Sequence, residues 1–128
     1  MWFGMADYEI HSPDGRTVIE LPYVGEPPRG DSQHRVLLKG SALPGLAWGS
    51  GLAWSPCSRY FTLDWLSQLG AIERRCLVVD VDSRATFVLP EYAAVSRFEY
   101  PQVRARVGDT EQLVFQFCGR ERWVPFAA

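Results

Sequence analysis

The chain has 128 residues, of which 47% are hydrophobic, 13% aromatic and 22% charged, and this composition excludes intrinsic disorder, collagen and coiled coils. Thirteen basic and fifteen acidic side chains leave a net charge of −2, so no strong positive field would draw the chain onto nucleic acid. The length predicts one domain, 1–128, with a core large enough to fold without disulfides.

The cysteines and the first residues predict a cytoplasmic protein. Cys57, Cys76 and Cys118 are odd in number and far apart, so they indicate neither a disulfide framework nor a zinc site. The chain begins without a basic segment ahead of a long apolar run, so we expect no signal peptide. Almost all basic residues are arginine and asparagine is absent, a bias typical of a GC-rich bacterial genome.

Two segments repeat one pattern at an offset of 43 residues. Ser12–Arg16 (SPDGR) precedes the apolar run Thr17–Tyr23, and Ser55–Arg59 (SPCSR) precedes Tyr60–Leu66. Proline fixes φ at the second position of a tight turn, so each copy predicts a turn between two strands. A degraded third copy begins at Phe98, and the predicted quasi-repeats are therefore 8–50, 51–95 and 96–128.

These turns and the strands around them resemble blades of the SPDG-type β-propeller repeats found in bacterial propellers. The resemblance covers Tyr8 to Tyr92 and includes the run Leu77–Asp82 with its return strand Thr86–Leu89. It implies four-stranded antiparallel blades, of which this length holds about three, whereas closed propellers have four or more. We therefore expect an all-β domain of about eight to ten antiparallel strands, in an open curved sheet or a sandwich.

The glycine-rich stretch Gly40–Ser58 carries no charge and predicts a loop rather than a membrane span, so we expect no membrane partner. Within it, Gly-Leu-Ala-Trp occurs twice, at 45–48 and 51–54. Trp48 is predicted either to anchor an interface from this loop or, with Trp54, to plug the core.

The segment Ser58–Gly70 allows two interpretations. A helix would begin at a serine cap, end at a glycine and bury Phe61, Trp65 and Leu69. A strand over Arg59–Leu66 agrees better with the alternation of apolar residues and with the aromatic content. We favour the strand.

Apolar and polar residues continue to alternate to the end of the chain, as they do in strands. Further strands are predicted at 35–39, 74–80, 86–89, 98–107, 112–118 and 123–126. A hairpin at Gly108–Thr110 joins two of them. In the second of these, Leu113, Phe115 and Phe117 predict one buried face.

Few residues suggest catalysis. His11 and His34 have no partner at a spacing that predicts a general base, and Gly49–Gly51 lacks the spacing of a nucleophile elbow. Cys57 is predicted in an exposed turn without a neighbouring base. We expect no enzyme activity, no cofactor and no metal.

Asp80 and Asp82 alternate along a predicted strand, which places their side chains on one face about 6.5–7 Å apart. Two carboxylates are too few for a cation site. Arg84, two residues on, is the expected counter-ion.

This profile resembles that of small bacterial immunity proteins, which neutralise a toxin by occluding it. The expected partner is therefore a protein toxin or effector, and not nucleic acid. The expected contact residues are Trp48, Trp123, Arg104, Arg106, Arg120, Arg122, Asp80, Asp82 and Glu91. Two alternatives remain open: a regulatory or scaffold domain that binds a partner or forms a homodimer through its sheet edges, and a small hydrolase.

Overall fold

The computed structural model describes residues 7–25, 33–68 and 73–126, and these ranges form fourteen strands and no helix. In chain order the strands are β1 (Tyr8–His11), β2 (Val18–Leu21), β3 (Tyr23–Gly25), β4 (Gln33–His34), β5 (Leu37–Leu38), β6 (Ser41–Ala42), β7 (Leu46–Trp54), β8 (Tyr60–Leu66), β9 (Arg75–Asp80), β10 (Ala85–Val88), β11 (Val95–Glu99), β12 (Gln102–Val107), β13 (Thr110–Gln116) and β14 (Val124–Pro125).

The strands form three open antiparallel sheets. The first sheet has the order β1-β2-β5-β6, and the third has the order β11-β12-β13. The seven-stranded middle sheet runs β14-β10-β9-β8-β7-β4-β3. The expected all-β fold without ring closure is confirmed for the described residues, although several predicted runs divide into shorter strands.

The middle sheet is covered on both faces because its central strands are apolar on both sides. Phe61 in β8 and Val79 in β9 belong to a core cluster shared with the first sheet. Tyr60 and Val78 in the same strands belong to a second cluster, shared with Phe98 and other residues of the third sheet. Two cores therefore hold three layers together.

Strand β8 confirms the favoured interpretation of Arg59–Leu66. Leu63 and Phe61 are 1% and 0% exposed and point to the first core, as the alternation predicts. The alternative helix is wrong up to residue 68, and its predicted end at 69–70 lies outside the described residues.

The loop predicted over Gly40–Ser58 is wrong, since β7 occupies nine of these residues. Strand β7 pairs with β4 along one edge and with β8 along the other, and this pairing outweighs the low strand propensity of glycine. The pairing register with β8 shifts between Ala47 and Leu52, where the glycines are concentrated. No described helix is long and apolar enough to span a membrane.

The single strand predicted over 98–107 is also wrong, because a turn at Tyr100–Pro101 separates β11 from β12. Proline has no N–H to donate to a ladder, so it ends the strand. The predicted hairpin after Val107 is confirmed, with Val107 paired to Thr110.

The two Ser-Pro turns have the same backbone hydrogen bonds at the offset of 43 residues. Ser12 N–H donates to Thr17 O at 2.9 Å, and Ser55 N–H donates to Tyr60 O at 2.8 Å. Ser58 adopts a left-handed conformation with φ 63°, the conformation that glycine provides in the first turn.

The serine side chains of these turns differ in what they contact. Ser12 Oγ bonds within its own turn, to Asp14 Oδ1 and to the N–H of Thr17. Ser55 Oγ accepts from Cys57 Sγ of its own turn at 3.5 Å and also accepts the N–H of Tyr100, in the turn of the third sheet, at 3.1 Å. The second turn therefore joins the middle sheet to the third.

Candidate partner-binding surfaces

The outer face of the third sheet carries charged side chains from all three strands. Arg97 pairs with Arg104, and Arg106 pairs with Glu111, so these side chains share one face. The opposite face carries buried residues such as Val103 and packs on the middle sheet. We call the outer surface formed by Arg97, Glu99, Arg104, Arg106, Glu111 and Leu113 the arginine face.

Ion pairs on the arginine face use Arg97 and leave two arginines available. Arg97 lies 3.2 Å from Glu99 and contacts Glu111 directly. The Arg97 guanidinium, which hydrogen-bonds to Glu111, holds the pKa of that carboxyl below its usual value. Among the described residues, no carboxylate lies within 4 Å of the Arg104 or Arg106 guanidinium. Arg104 donates to Gln102 Oε1 at 2.9 Å, and Arg106 lies close enough to Glu111 to help lower the pKa of that carboxyl. Neither guanidinium is in a close ion pair within the described residues, so both can pair with acidic groups of a partner.

Leu113 lies on the arginine face, which contradicts the prediction that it shares a buried face with Phe115 and Phe117. Val103 pairs with Phe115, whereas the next residue, Arg104, pairs with Leu113, so β13 has one extra residue at this point. Such a bulge reverses the side-chain alternation. Leu113 is consequently 46% exposed, while Phe117 is 3% exposed.

The β12–β13 hairpin also exposes other apolar groups. Val107 is 52% exposed and Val114 is 40% exposed. Strand β13 is the last strand of its sheet, and within the described residues no strand pairs with its outer edge. This edge is therefore open to another strand.

Asp80 is not a contact residue, because it is buried in an ion pair. Arg59 binds it in a bidentate manner, with Nε–Oδ1 and Nη2–Oδ2 distances of 2.9 Å. Burial alone would raise the pKa of the Asp80 carboxyl, but the hydrogen bonds from Arg59 and Ser83 outweigh burial and lower that pKa. The predicted counter-ion, Arg84, instead donates to Ser41 Oγ at 2.6 Å. The sequence could have indicated Arg59 only through the repeat, since it follows the second Ser-Pro turn.

Asp82 is exposed, as a contact residue should be, and its Oδ2 lies 3.8 Å from Arg59 Nε. Glu91 is also exposed and lines a separate pocket with Val114 and Phe115. Of the three acidic residues expected to contact a partner, Asp82 and Glu91 are therefore accessible and Asp80 is not.

The aromatic anchors and the last two arginines occupy other positions than predicted. Trp123 is half-buried, with its ring 5.4 Å from that of Phe117, so it packs in the second core. Arg120 and Arg122 are exposed, but they lie in the loop after β13 rather than on one face of a strand. Because these residues are not in a strand, their spacing of two residues does not place their side chains on the same face.

Trp48 is half-buried in β7 and not in a loop. The Arg74 guanidinium lies 3.5 Å from the centre of its ring, and the same group lies 6.0 Å from the ring of Tyr92. Such contacts are favourable because a cation is attracted to the face of an aromatic ring. Trp48 thus has a partner within the chain.

The register shift in β7 opens a small pocket beside this aromatic cluster. The pocket has a volume of about 100 Å³ and lies between β7, β8 and the start of β11. Its polar lining comes from Asp64 and Thr62, and its walls include Leu52 and Val95. A methyl group added at Gly51 would overlap the Asp64 carboxylate, so only glycine fits here without a shift.

The remaining titratable groups are dispersed. His11 is exposed, whereas His34 is fully buried against the rings of Tyr8 and Tyr23. Burial raises the pKa of the exposed Cys57 thiol, but its hydrogen bonds with Ser55 Oγ and with backbone groups outweigh burial and leave that pKa lowered. Among the described residues, no three His, Cys, Asp or Glu side chains are placed to hold a metal ion.

We compared the chain with family models, curated proteins and solved structures, and none of the three comparisons gives a match.

Proposed function

We propose that the protein is a non-catalytic binding protein of the immunity type, which neutralises a cognate toxin by covering it with the arginine face. The main support is that, among the described residues, no carboxylate lies within 4 Å of the Arg104 or Arg106 guanidinium, although both arginines stand on the outer face of a three-stranded sheet. Arginine suits such a role because its planar guanidinium pairs in a bidentate manner with carboxylates.

The neighbouring apolar group strengthens this choice of surface. Leu113 stands between the charged side chains and is nearly half exposed, so the face offers both apolar area and cations. Protein interfaces combine an apolar centre with a polar rim, and arginine is enriched among the residues that dominate affinity. The expected partner surface is therefore acidic, with an apolar group near its centre.

The test is growth of cells that express the proposed cognate toxin, sought in the gene beside this one. We expect the wild-type chain to restore growth, and the double variant Arg104→Glu/Arg106→Glu to fail because it repels an acidic partner. The matched control is Glu9→Arg/Glu20→Arg, which reverses the charge of two exposed, paired residues on the first sheet and should still restore growth. Absence of protection by the wild-type chain would contradict the immunity role.

A second candidate is a scaffold domain that self-associates, and the open edge of β13 favours it. Antiparallel pairing of two β13 strands centred on Leu113 places Glu111 opposite Phe115 of the second copy, so the carboxylates stay apart. We expect Val114→Lys to remove such a dimer, because charged residues protect sheet edges. Sedimentation equilibrium checks this, and a wild-type chain that stays monomeric at high concentration excludes the candidate.

A further inference from the structure

The outer edge of β13 differs from the other sheet edges that the structure describes. β13 has seven residues, whereas the edge strands β1, β3, β6 and β14 have two to four. β11, at the opposite edge of the third sheet, packs against β7. Proteins shield sheet edges with short strands, proline, lysine or a covering element, and β13 is long and contains neither proline nor lysine. Three of the four large apolar side chains that are exposed in the described ranges, Val107, Leu113 and Val114, also lie on its hairpin, so this edge offers apolar area to a further strand.

The pairing register determines which backbone groups of β13 face this edge. Residues directly opposite each other in antiparallel strands alternate between pairs that exchange two hydrogen bonds and pairs that exchange none. A two-residue loop joins Val107 and Thr110, so their pair is hydrogen-bonded. Glu111 and Leu113 therefore occupy pairs of the other kind. Their N–H and C=O groups point away from β12, to the open edge.

The arginine face determines which side chain a further strand should carry opposite Leu113. Directly opposed side chains of neighbouring strands share a face, so this side chain would lie on the arginine face. Arg97 in β11 contacts Glu111 in β13 although β12 lies between them. Arg104 in β12 has the same relation to a strand added beyond β13, and its bond to Gln102 uses one of its five donors. A carboxylate opposite Leu113 is therefore within reach of Arg104.

The inner face of a further strand would meet apolar groups. Val103 is buried in the second core and pairs with Phe115, so Phe115 lies on the inner side of the third sheet. Phe115 and Val114 line, together with Tyr92, a pocket of about 170 Å³ beside β13. The only charged residue lining this pocket is Glu91. Apolar side chains suit this side, because they bury surface here while an acidic side chain would be repelled.

We propose that the edge of β13 binds an extended segment of the protein partner as a fourth strand of the third sheet. The segment carries a carboxylate opposite Leu113 on the outer face and apolar side chains on the inner face. That the segment belongs to a toxin rests on the proposed function, whereas the strand-pairing site and its preference for a carboxylate do not.

The experiment uses as its probe the peptide Val-Thr-Val-Glu-Val-Thr-Val, acetylated and amidated at its ends. In a strand its valines lie on one face and its glutamate on the other. We titrate it into the full chain and expect saturable NMR shifts over 110–116, with a dissociation constant on the order of millimolar. At saturation, amide hydrogen exchange at Glu111 and Leu113 should slow about fivefold or more, because both N–H groups gain acceptors.

N-methylated peptides distinguish strand pairing from unspecific adsorption. In the proposed pairing the N–H of the central glutamate donates to the C=O of Leu113, whereas the N–H groups of the two adjacent valines point away from β13. N-methylation of the glutamate should therefore abolish the saturable shifts. N-methylation of the valine before it is the matched control, and it should leave the dissociation constant within about threefold of that of the parent peptide.

Exchange of charges tests the role of Arg104. The wild type should bind the glutamate peptide about threefold or more tightly than the same peptide with lysine in place of glutamate. Arg104→Glu should reverse this order, because it places a carboxylate where the guanidinium was. Arg120→Glu is the matched control, since Arg120 is an exposed arginine outside the sheet, and it should keep the wild-type order.

The proposal is overturned if the peptide gives no saturable shifts over 110–116, if N-methylation of its glutamate changes nothing, or if the wild type binds the glutamate and lysine peptides equally. It is also overturned if sedimentation equilibrium shows a dimer whose Glu111 and Leu113 amides are protected without peptide, because a second copy then occupies the edge. No toxin is present in the titration, so these outcomes are independent of the growth test. Loss of growth protection alone leaves the strand-pairing site standing, and absence of peptide binding alone leaves the arginine face standing.

Discussion

The middle and third sheets contain similar antiparallel strands but have different environments. In β8 and β9 nearly every residue is buried, because one core lies on each side of the sheet. In β12 and β13 only one face is covered, and the other carries the arginine face. We therefore expect the middle sheet to contribute most to the free energy of unfolding, whereas the outer face of the third sheet leaves side chains exposed to another molecule.

The largest expected effect is in the middle sheet. Phe61 is completely buried, packs against Trp54 at a ring distance of 4.8 Å and belongs to the first core. Phe61→Ala should lower the free energy of unfolding by about 3–5 kcal/mol, because it leaves a cavity. Urea denaturation measures this, and a loss under about 1 kcal/mol would mean that the middle sheet is not the stable layer.

The ion pair at the end of the middle sheet should contribute less. Asp80→Asn keeps the shape of the side chain but removes its charge beside Arg59, whose side chain is 44% exposed. Solvent screening limits the loss to about 1–2 kcal/mol. The matched control is Asp82→Asn, because Asp82 is 70% exposed and should change stability little. Equal losses for the two variants would contradict the assignment of Asp80 as the buried partner.

The same carboxyl predicts a dependence of stability on pH. The pKa of Asp80 is lower in the folded protein than in the unfolded chain, so its contribution is present above the unfolded value of about 3.9. That contribution is lost as the pH falls through the folded pKa. Urea unfolding measured from pH 6 to pH 2 should therefore decline more steeply for the wild type than for Asp80→Asn, and parallel curves would be inconsistent with this shift.

The smallest stability effects should be on the arginine face. Arg104→Ala and Arg106→Ala remove side chains with no carboxylate partner in the described ranges, so each should change the free energy of unfolding by about 0.5 kcal/mol or less. Thermal unfolding tests this. A large loss would show that these arginines stabilise the fold, and the contrast between the two sheets would fail.

Much of the fold follows from local sequence. The strand at β8 and the hairpin after Val107 were predictable because alternation and turn residues act over a few positions. Strand β7 was not predictable, since its glycines are weak strand formers and only pairing with β4 and β8 fixes them. Local propensity therefore failed where distant strands supply the stabilisation.

The candidate site was less predictable, for the same reason. The spacing of Arg104 and Arg106 was enough to predict that they share one face of a strand. Which face Leu113 occupies, by contrast, depends on a bulge that arises from the pairing of β13 with β12. The choice of Arg59 over Arg84 as the partner of Asp80 depends on contacts across 21 residues of chain. No periodicity in the sequence reports such contacts.

The most direct test is the affinity of the purified protein for the proposed cognate toxin, sought in the neighbouring gene, measured by isothermal titration calorimetry. We predict tight binding by the wild type and a loss of about 100-fold or more for Arg104→Glu/Arg106→Glu, with an unchanged melting temperature. Glu9→Arg/Glu20→Arg should bind like the wild type. Equal affinity of all three proteins, or no binding by the wild type, would contradict the proposal that the third sheet is the partner-binding layer.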